Sequence, residues 1–127
     1  MSIKQEDLAN YYAQKYPLTF AKDFLQKDVS LSSRFQEAWN LAEKAASILK
    51  EQFAAKKVVV FGSLTKQSLF TPWSDVDLAV WDVPDDKFYA AVGAVTGLST
   101  DFKVDLVDAK ACRDSLRKTI ETEGIEI

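Results

Sequence analysis

The chain has 127 residues, of which 47% are hydrophobic and 28% charged, and its 16 Lys and Arg against 19 Asp and Glu leave a net charge of −3. This length supports one hydrophobic core. The absence of histidine excludes an imidazole base, a Ser-His-Asp or Cys-His nucleophile and a histidine-ligated zinc, so any chemistry must use carboxylates, hydroxyls, lysines or arginines.

The amino-terminal part is predicted to be a helical extension over residues 1–32, followed by the main domain over residues 33–127. Within the extension, residues 3–16 are predicted to form a helix that Ser2 opens and that ends before Pro17. The aromatic side chains of this region either pack on the core or present a surface to a partner protein.

The clearest helical pattern lies at residues 33–53, where Ser33 followed by Gln36 predicts a capping box at the start. Its apolar positions are spaced alternately by four and three residues, at Phe35, Trp39, Ala42, Ala46, Leu49 and Phe53. We expect this stripe to pack on a sheet.

After residue 57 the pattern alternates between strands and helices. Strands are predicted at residues 58–61, 75–82 and 102–107, and helices at 84–95 and 110–122, with Gly124 ending the last one. No internal repeat or linker interrupts this alternation, which therefore predicts one α/β or α+β domain.

The cellular compartment is indicated by two absences. The amino terminus has no apolar run after its first charged residue and no long aliphatic stretch follows, so neither a signal peptide nor a membrane span is expected. Cys112 is the only cysteine and has no partner for an intramolecular disulfide. We predict a cytoplasmic protein in which Cys112 is a packing residue.

The charge is distributed unevenly. Residues 1–57 carry 9 basic and 7 acidic side chains, whereas residues 58–127 carry 7 basic and 12 acidic ones. An acidic second half argues against direct nucleic-acid binding, which requires clustered Lys and Arg. It leaves open a metal-binding cluster of carboxylates.

Gly62 and Ser63 form a turn that follows the first predicted strand and precedes a stretch able to make one helical turn. Glycine permits a close approach to a ligand, and the unpaired first amides of a helix and the serine hydroxyl supply donors that suit a phosphate. Such turns are common after strands, so this feature alone is weak evidence.

Asp75 and Asp77 begin the next strand and share one of its faces, about 6.6 Å apart. Two carboxylates so placed can hold the same or adjacent divalent cations, with Mg²⁺ or Mn²⁺ and a phosphate-bearing substrate favoured. The alternative is the solvated face of an amphipathic strand. For a pair of aspartates at this spacing alone, the solvated face would be favoured. That alternative is weakened here, because aspartate is a poor strand former and the pair lies beside a phosphate-type turn.

Asp105 lies on the third predicted strand, on the same alternating face as Lys103. If this strand neighbours the second one, Asp105 completes a triad of carboxylates that two metal ions about 3.5–4 Å apart can bridge. Asp108 is an alternative ligand, but its offset of three residues from Asp105 favours a turn or a helix cap.

These residues together resemble a known family. Gly62 and Ser63, then eleven residues, then the run from Asp75 to Leu78 and the later acidic strand are similar to the minimal nucleotidyltransferases of the DNA polymerase β superfamily. The resemblance covers roughly residues 35–127 and does not extend to the first thirty or so residues.

Two departures from the family pattern concern the segment after Ser63. The usual interval between this serine and the first aspartate is ten residues, against eleven here. Lys66 and Gln67 stand where Arg and Gly are frequent. The resemblance carries Lys66 over as a phosphate-binding residue, with an exposed helix lysine as the alternative.

The resemblance implies a nucleotidyltransferase fold, a small mixed sheet with helices mainly on one face. It also implies transfer of AMP from ATP to a hydroxyl, with release of pyrophosphate. Gly62 and Ser63 would hold the phosphates, and Asp75, Asp77 and Asp105 would hold two Mg²⁺ ions, with Mn²⁺ as an alternative. With acid-base work assigned to metal-bound carboxylates, histidine is not needed.

The acceptor is implied by the resemblance only. Stand-alone domains of this size resemble the antitoxin of HEPN–MNT toxin–antitoxin pairs, which AMPylates a tyrosine of the HEPN ribonuclease toxin. The alternatives are a non-catalytic module that binds its partner or senses nucleotide, and an enzyme that modifies a small molecule such as an aminoglycoside. Three intact aspartates argue against the first alternative, and the short chain argues against the second.

Overall fold

The computed structural model describes the backbone of residues 19–127 and the side chains from residue 31 onward. The predicted helix at residues 3–16 lies outside the described residues. The elements in chain order are α1 (Thr19–Gln52), β1 (Lys57–Phe61), β2 (Val76–Trp81), α2 (Asp85–Thr96), β3 (Val104–Asp108), α3 (Asp114–Glu123) and β4 (Ile125–Glu126). Two short 3-10 turns, Gly62–Thr65 and Gln67–Leu69, lie between β1 and β2.

The predicted stripe of helix α1 is confirmed at its centre. Ala42, Ala46 and Leu49 are buried, together with Ala38 and Ala45, whereas the aromatic positions of the predicted stripe are half-buried. The predicted capping box at Ser33 is wrong, because the helix begins at Thr19 and passes through Ser33 without interruption. Residues on both sides of Ser33 are compatible with helix, so a serine there did not need to start one.

Leu49 tests the position of this stripe. Its side chain is fully buried, so Leu49→Ala removes packed methyl groups and should lower the free energy of unfolding by about 2–5 kcal/mol. Denaturant unfolding of the two proteins measures the difference, with the exposed Lys44→Ala on the same helix as a control that should change stability little. Equal stability of Leu49→Ala and the unmodified chain would contradict the burial.

The sheet has four strands in the order β3-β2-β1-β4. Strand β1 is antiparallel to β2 and β4, whereas β2 and β3 are parallel and connected through α2. Phe61 faces Asp77 across β1 and β2, and Asp77 faces Asp105 across β2 and β3. This confirms the predicted mixed α+β architecture and places the second and third predicted strands side by side.

One face of the sheet is covered by helix α3. Val59 and Ala79 pack there with Ile120, and the half-buried Phe61 lies against the same cluster. Because side chains alternate along a strand, Asp77 projects on the same face as Ala79 and lies two residues nearer the start of β2. The Asp77 carboxylate therefore lies at the edge of the apolar cluster under α3.

The beginnings of three predicted elements differ slightly from the structure. Strand β2 begins at Val76, one residue later than predicted, and β3 begins at Val104 rather than at residue 102. Helix α3 begins at Asp114 because the preceding residues form a turn, in which the backbone of Lys110 donates to Asp108 Oδ1 over 3.0 Å. Asp108 was predicted in a turn or helix cap, but it is the last residue of β3, and its side chain accepts this hydrogen bond from the turn that follows.

A second contact that the sequence did not indicate holds the segment between β3 and α3. The Arg117 side chain donates to the carbonyl oxygens of Ala109 and Lys110 at 2.6 and 2.7 Å. Both carbonyls thereby gain a charged partner, which favours the turn over another stretch of helix.

Gly124 ends α3 as predicted and permits β4 to approach β1. A Cβ atom at this position would lie 2.3 Å from the carbonyl oxygen of Ile120 and 2.3 Å from Val59 Cγ1. Backbone cannot give way as readily as the end of a side chain, so we expect Gly124→Ala to cost about 2–3 kcal/mol of stability. Thermal or denaturant unfolding measures this loss, and a variant as stable as the unmodified chain would show that β4 does not approach so closely.

Residues 35–127 form one compact unit that includes the whole sheet. The domain boundary at residue 33 remains a prediction. Among the described residues, no helix is both long enough and apolar enough to cross a membrane.

Candidate active site

The turn after strand β1 begins with a left-handed glycine. Gly62 has a φ of +75°, a conformation that side chains with a Cβ rarely adopt. The Thr65 hydroxyl donates to the carbonyl oxygen of Gly62 over 2.7 Å and so closes the turn. The helical turn predicted for residues 64–67 does not form there: a 3-10 turn spans Gly62–Thr65, and Lys66 has extended backbone.

Gly62 lies directly against the Asp77 carboxylate. A Cβ atom on Gly62 would be 2.5 Å from Asp77 Oδ2, closer than nonbonded atoms approach, and 3.4 Å from Asp77 Cγ. Only a residue without a side chain leaves this carboxylate in place. The structure thus brings together the glycine turn and the second aspartate, which the sequence separates by fourteen residues.

Asp77 is the most perturbed titratable group among the described side chains. Its pKa is raised from 3.8 to about 6, chiefly by burial and further by the neighbouring Asp105 and Asp75 carboxylates, whereas Lys103 lowers it. Phe61 is the register partner of Asp77 on β1, so an apolar residue stands across the strand pair from this carboxylate. At neutral pH Asp77 is therefore a carboxylate held in an unfavourable electrostatic environment.

Asp105 is the partner of Asp77 on the adjacent strand, and neighbouring strands lie about 4.8 Å apart. Its Oδ1 atom is 3.6 Å from Lys103 Nζ, and both side chains are substantially exposed, at 42% and 70%. An exposed pair of this kind contributes at most about 1 kcal/mol. Asp105 can therefore leave Lys103 at little cost.

Lys103 is a member of the site that the sequence-based assignment omitted. Its charge acts on Asp77 and its ammonium contacts Asp105. The only sequence signal was its position two residues before Asp105, on the same face of the strand. That spacing is common on amphipathic strands. It indicates a site residue only once β3 is known to pair with β2.

Asp75 lies immediately before β2, in a half-buried position. It is close enough to raise the pKa of Asp77. The preceding turn is closed by hydrogen bonds: the Thr71 backbone N–H donates to Ser74 Oγ over 2.8 Å, and the Ser74 N–H donates to the Thr71 carbonyl oxygen over 3.1 Å. This turn positions Asp75 at the entry to the strand.

The remaining predicted residues are placed as follows. Ser63 follows Gly62 in the 3-10 turn and is half-buried. Lys66 is exposed and has extended backbone between the two turns, and its N–H donates to the carbonyl oxygen of Ser63 over 3.4 Å. The cation that acts on Asp77 is Lys103, so a phosphate-binding role for Lys66 remains a prediction.

The donor set suits a hard divalent cation. Asp75 and Asp105 both act on Asp77, with Lys103 as the one opposing cation, and this excess negative charge contributes to the raised pKa of Asp77. Oxygen donors are the ligands that Mg²⁺ and Mn²⁺ prefer. Among the described side chains, no group of three potential ligands is arranged to hold a metal ion. The metal-ligand roles of Asp75, Asp77 and Asp105 therefore remain predictions.

A groove at the other end of β2 and β3 is separate from this site. An ion pair between Lys110 and Asp82 lies in it, and the hydrogen bond from Lys110 keeps the pKa of Asp82 below its usual range. The groove is lined by Asp82, Val83, Pro84, Asp85, Asp108 and Lys110. Asp75, Asp77 and Asp105 do not line it.

The site thus combines a glycine turn after β1, Asp77 on the neighbouring strand β2 and its partner Asp105 on β3, the next strand along the sheet. Residues 43–127 match the family described as "Polymerase beta, Nucleotidyltransferase". Since the match covers more than half of the chain, this protein belongs to that family. No curated protein matches the chain.

Proposed function

We propose that this protein transfers AMP from ATP to a hydroxyl group, with release of pyrophosphate, in a reaction that depends on Mg²⁺. One observation carries this proposal: Gly62 is packed against Asp77 in the register that also aligns Asp77 with Asp105. A phosphate chain at the turn would lie beside the carboxylates that neutralise it through bound cations. Membership of the nucleotidyltransferase family supports the reaction type.

The reaction requires one displacement at phosphorus. The acceptor oxygen forms a bond to the α-phosphorus of ATP, the bond from that phosphorus to the bridging oxygen breaks, and pyrophosphate leaves. The acceptor proton passes to a carboxylate or to water. Divalent cations, when bound, neutralise the phosphate charge and lower the pKa of the acceptor hydroxyl.

The residues of the chain act mainly by positioning charge. Gly62 and Ser63 would present the turn to the β- and γ-phosphates, and Asp75 and Asp77 would hold both cations. Asp105, which leaves Lys103 cheaply, would hold the cation on the acceptor side. Lys103 would then be free to contact a phosphate oxygen.

For the acceptor, we propose a tyrosine hydroxyl of a HEPN-type ribonuclease toxin, whose AMPylation would neutralise the toxin. The support is the resemblance of this chain to the minimal nucleotidyltransferases, a group that includes the antitoxins of such pairs. The protein would then act in the cytoplasm as the antitoxin of a two-gene system.

The experiment uses the protein, Mg²⁺ and the product of the adjacent gene, with ATP labelled at either the α- or the γ-phosphate. We expect α-label on the partner, no γ-label, and loss of the label when the modified tyrosine is replaced by Phe. Mass spectrometry should show the mass of adenylyl groups on that tyrosine. The matched controls are Asp77→Asn, which should be inactive, and the exposed Asp86→Asn, which should be active.

Different results would point to the alternatives. A stable complex with the partner and no transferred label would favour a module that neutralises by binding alone. Label from γ-labelled ATP would indicate a kinase instead. Competition by unlabelled GTP, CTP and UTP measures the base preference in the same assay.

A further inference from the structure

Trp73 is a large aromatic side chain left almost completely in solvent. It is 85% exposed, and among the described residues the other strongly exposed large apolar side chains are Leu69, Tyr89 and Ile125. Exposure of a whole indole is unfavourable, because burying an aromatic side chain of this size removes 150–250 Å² from water, roughly. A single exposed residue needs no explanation, but the position of Trp73 next to the site does.

The backbone of Trp73 is held beside the carboxylates. Its N–H donates to Thr71 Oγ1 over 3.3 Å, inside the same hydrogen-bonded turn that positions Asp75. Two residues of chain span at most about 7 Å, so the indole is attached within that distance of the Asp75 backbone. The turn limits how far the attachment point can move.

The other aromatic side chains near this segment are already engaged. Phe70 is 3% exposed, and its ring meets that of Phe35 edge-on with centroids 5.3 Å apart. Phe61 packs against the cluster under α3. Trp73 is therefore the aromatic ring with open faces between Gly62 and Asp77.

We propose that the Trp73 indole stacks on the base of the nucleoside triphosphate and so acts as a positioning residue for it. This inference rests on the proposed function, which places the phosphates at Gly62 and Asp77. A ring attached close to Asp75 can cover a base whose phosphates lie at these carboxylates. Because every base has a π-face, this contact tolerates different bases.

The size of the exposed apolar surface favours a base over a protein partner. A stable protein interface buries about 800 Å² on each partner, several times the area of one indole. Among the residues beside Trp73, Pro72 is exposed and apolar, whereas Thr71 and Ser74 are polar and hydrogen-bonded to each other. The exposed area of a single indole ring matches that of one nucleobase better than that of a protein interface.

The test measures binding of Mg·ATP and of Mg·triphosphate, which lacks base and ribose, by calorimetry and tryptophan emission. We expect Trp73→Ala to weaken Mg·ATP binding by about 5- to 150-fold, while Trp73→Phe retains most of the affinity. Mg·triphosphate should bind equally to all variants. Mg·ATP should quench emission in the unmodified chain and far less in Trp73→Ala.

Tyr89→Ala is the matched control, because Tyr89 is equally exposed at 85% but lies on α2. It should bind Mg·ATP as the unmodified chain does. Unchanged Mg·ATP affinity in Trp73→Ala would overturn the stacking role, and so would an equal loss of Mg·triphosphate binding. Loss of partner binding with normal Mg·ATP affinity would overturn it in favour of partner docking.

The proposed function itself fails in a different way. If the unmodified chain bound no Mg·nucleoside triphosphate, nucleotidyl transfer would be contradicted and the stacking role with it. Binding by the unmodified chain together with unchanged binding by Trp73→Ala would contradict the stacking role alone. The two failures are therefore distinguishable in one set of titrations.

Discussion

Asp77→Asn should lower nucleotidyl transfer by roughly 100- to 1,000-fold or more, on the scale of losing one preorganised electrostatic group. The change removes a negative charge from the centre of the carboxylate cluster and keeps the shape of the side chain. The rate of α-label transfer at saturating Mg²⁺ measures the effect. Asp86→Asn, which neutralises an exposed carboxylate on α2, should leave the rate unchanged.

The same variant should be more stable than the unmodified chain once metal is removed. Because the folded-state pKa of Asp77 is raised to about 6 from 3.8, ionising it costs stability, and this cost develops as the pH rises from about 4 through 6. Allowing for solvent screening of a partly exposed group, we expect Asp77→Asn to gain about 1–2 kcal/mol at pH 8. At pH 4 the gain should nearly vanish.

Unfolding in urea with a chelator present, at pH 4 and pH 8, measures this difference. Adding Mg²⁺ at pH 8 should then stabilise the unmodified chain more than Asp77→Asn, since bound ligand stabilises the folded state. A variant that is less stable than the unmodified chain at pH 8 would contradict the electrostatic account. Retained transfer activity in Asp77→Asn would contradict the site assignment.

Gly62→Ala should lower transfer by about 100-fold, the scale of loss for misplacing a reacting group by about 1 Å. The new Cβ would meet Asp77 Oδ2 at 2.5 Å, and the carboxylate can relieve this contact only by rotating away. The positive φ adds strain of about 1–2 kcal/mol for a residue with a Cβ. We therefore expect a modest loss of stability and a large loss of activity.

Gly93→Ala provides the control for this glycine substitution. Gly93 lies inside α2, and a Cβ there would meet nothing within 4 Å. Alanine in a helix interior is more favourable than glycine, so this variant should gain about 0.5–1 kcal/mol and keep its activity. Equal activity of Gly62→Ala and Gly93→Ala would show that the turn does not constrain Asp77.

The described part of the fold was largely predictable because its signals are local. The run of valines in β1, the alternation in β2 and the 3.6-residue periodicity around Leu49 each follow from burial of one face or both. The start of α1 was not predictable from Ser33, since a serine also occurs within helices. The late start of α3 depends on Arg117, whose carbonyl partners are seven and eight residues away.

The residues of the candidate site were likewise predictable only in part. Gly62, Asp75 and Asp77 are recognisable because their motif is short and its spacing along the chain has a geometric meaning. Lys103 and Trp73 are not, because a lysine on a strand and a tryptophan in a loop occur in many places without function. The roles proposed for them depend on the residues that lie close to them in the folded chain.

The sequence by itself therefore indicated the reaction class, because the glycine-serine turn and the order of the aspartates resemble the nucleotidyltransferase pattern. Only the tertiary structure decided how these residues meet. The antiparallel pairing of β1 with β2 brings Gly62 against Asp77, and the parallel pairing of β2 with β3 aligns Asp105. Register is a property of paired strands, and the burial that raises the pKa of Asp77 exists only once they are packed.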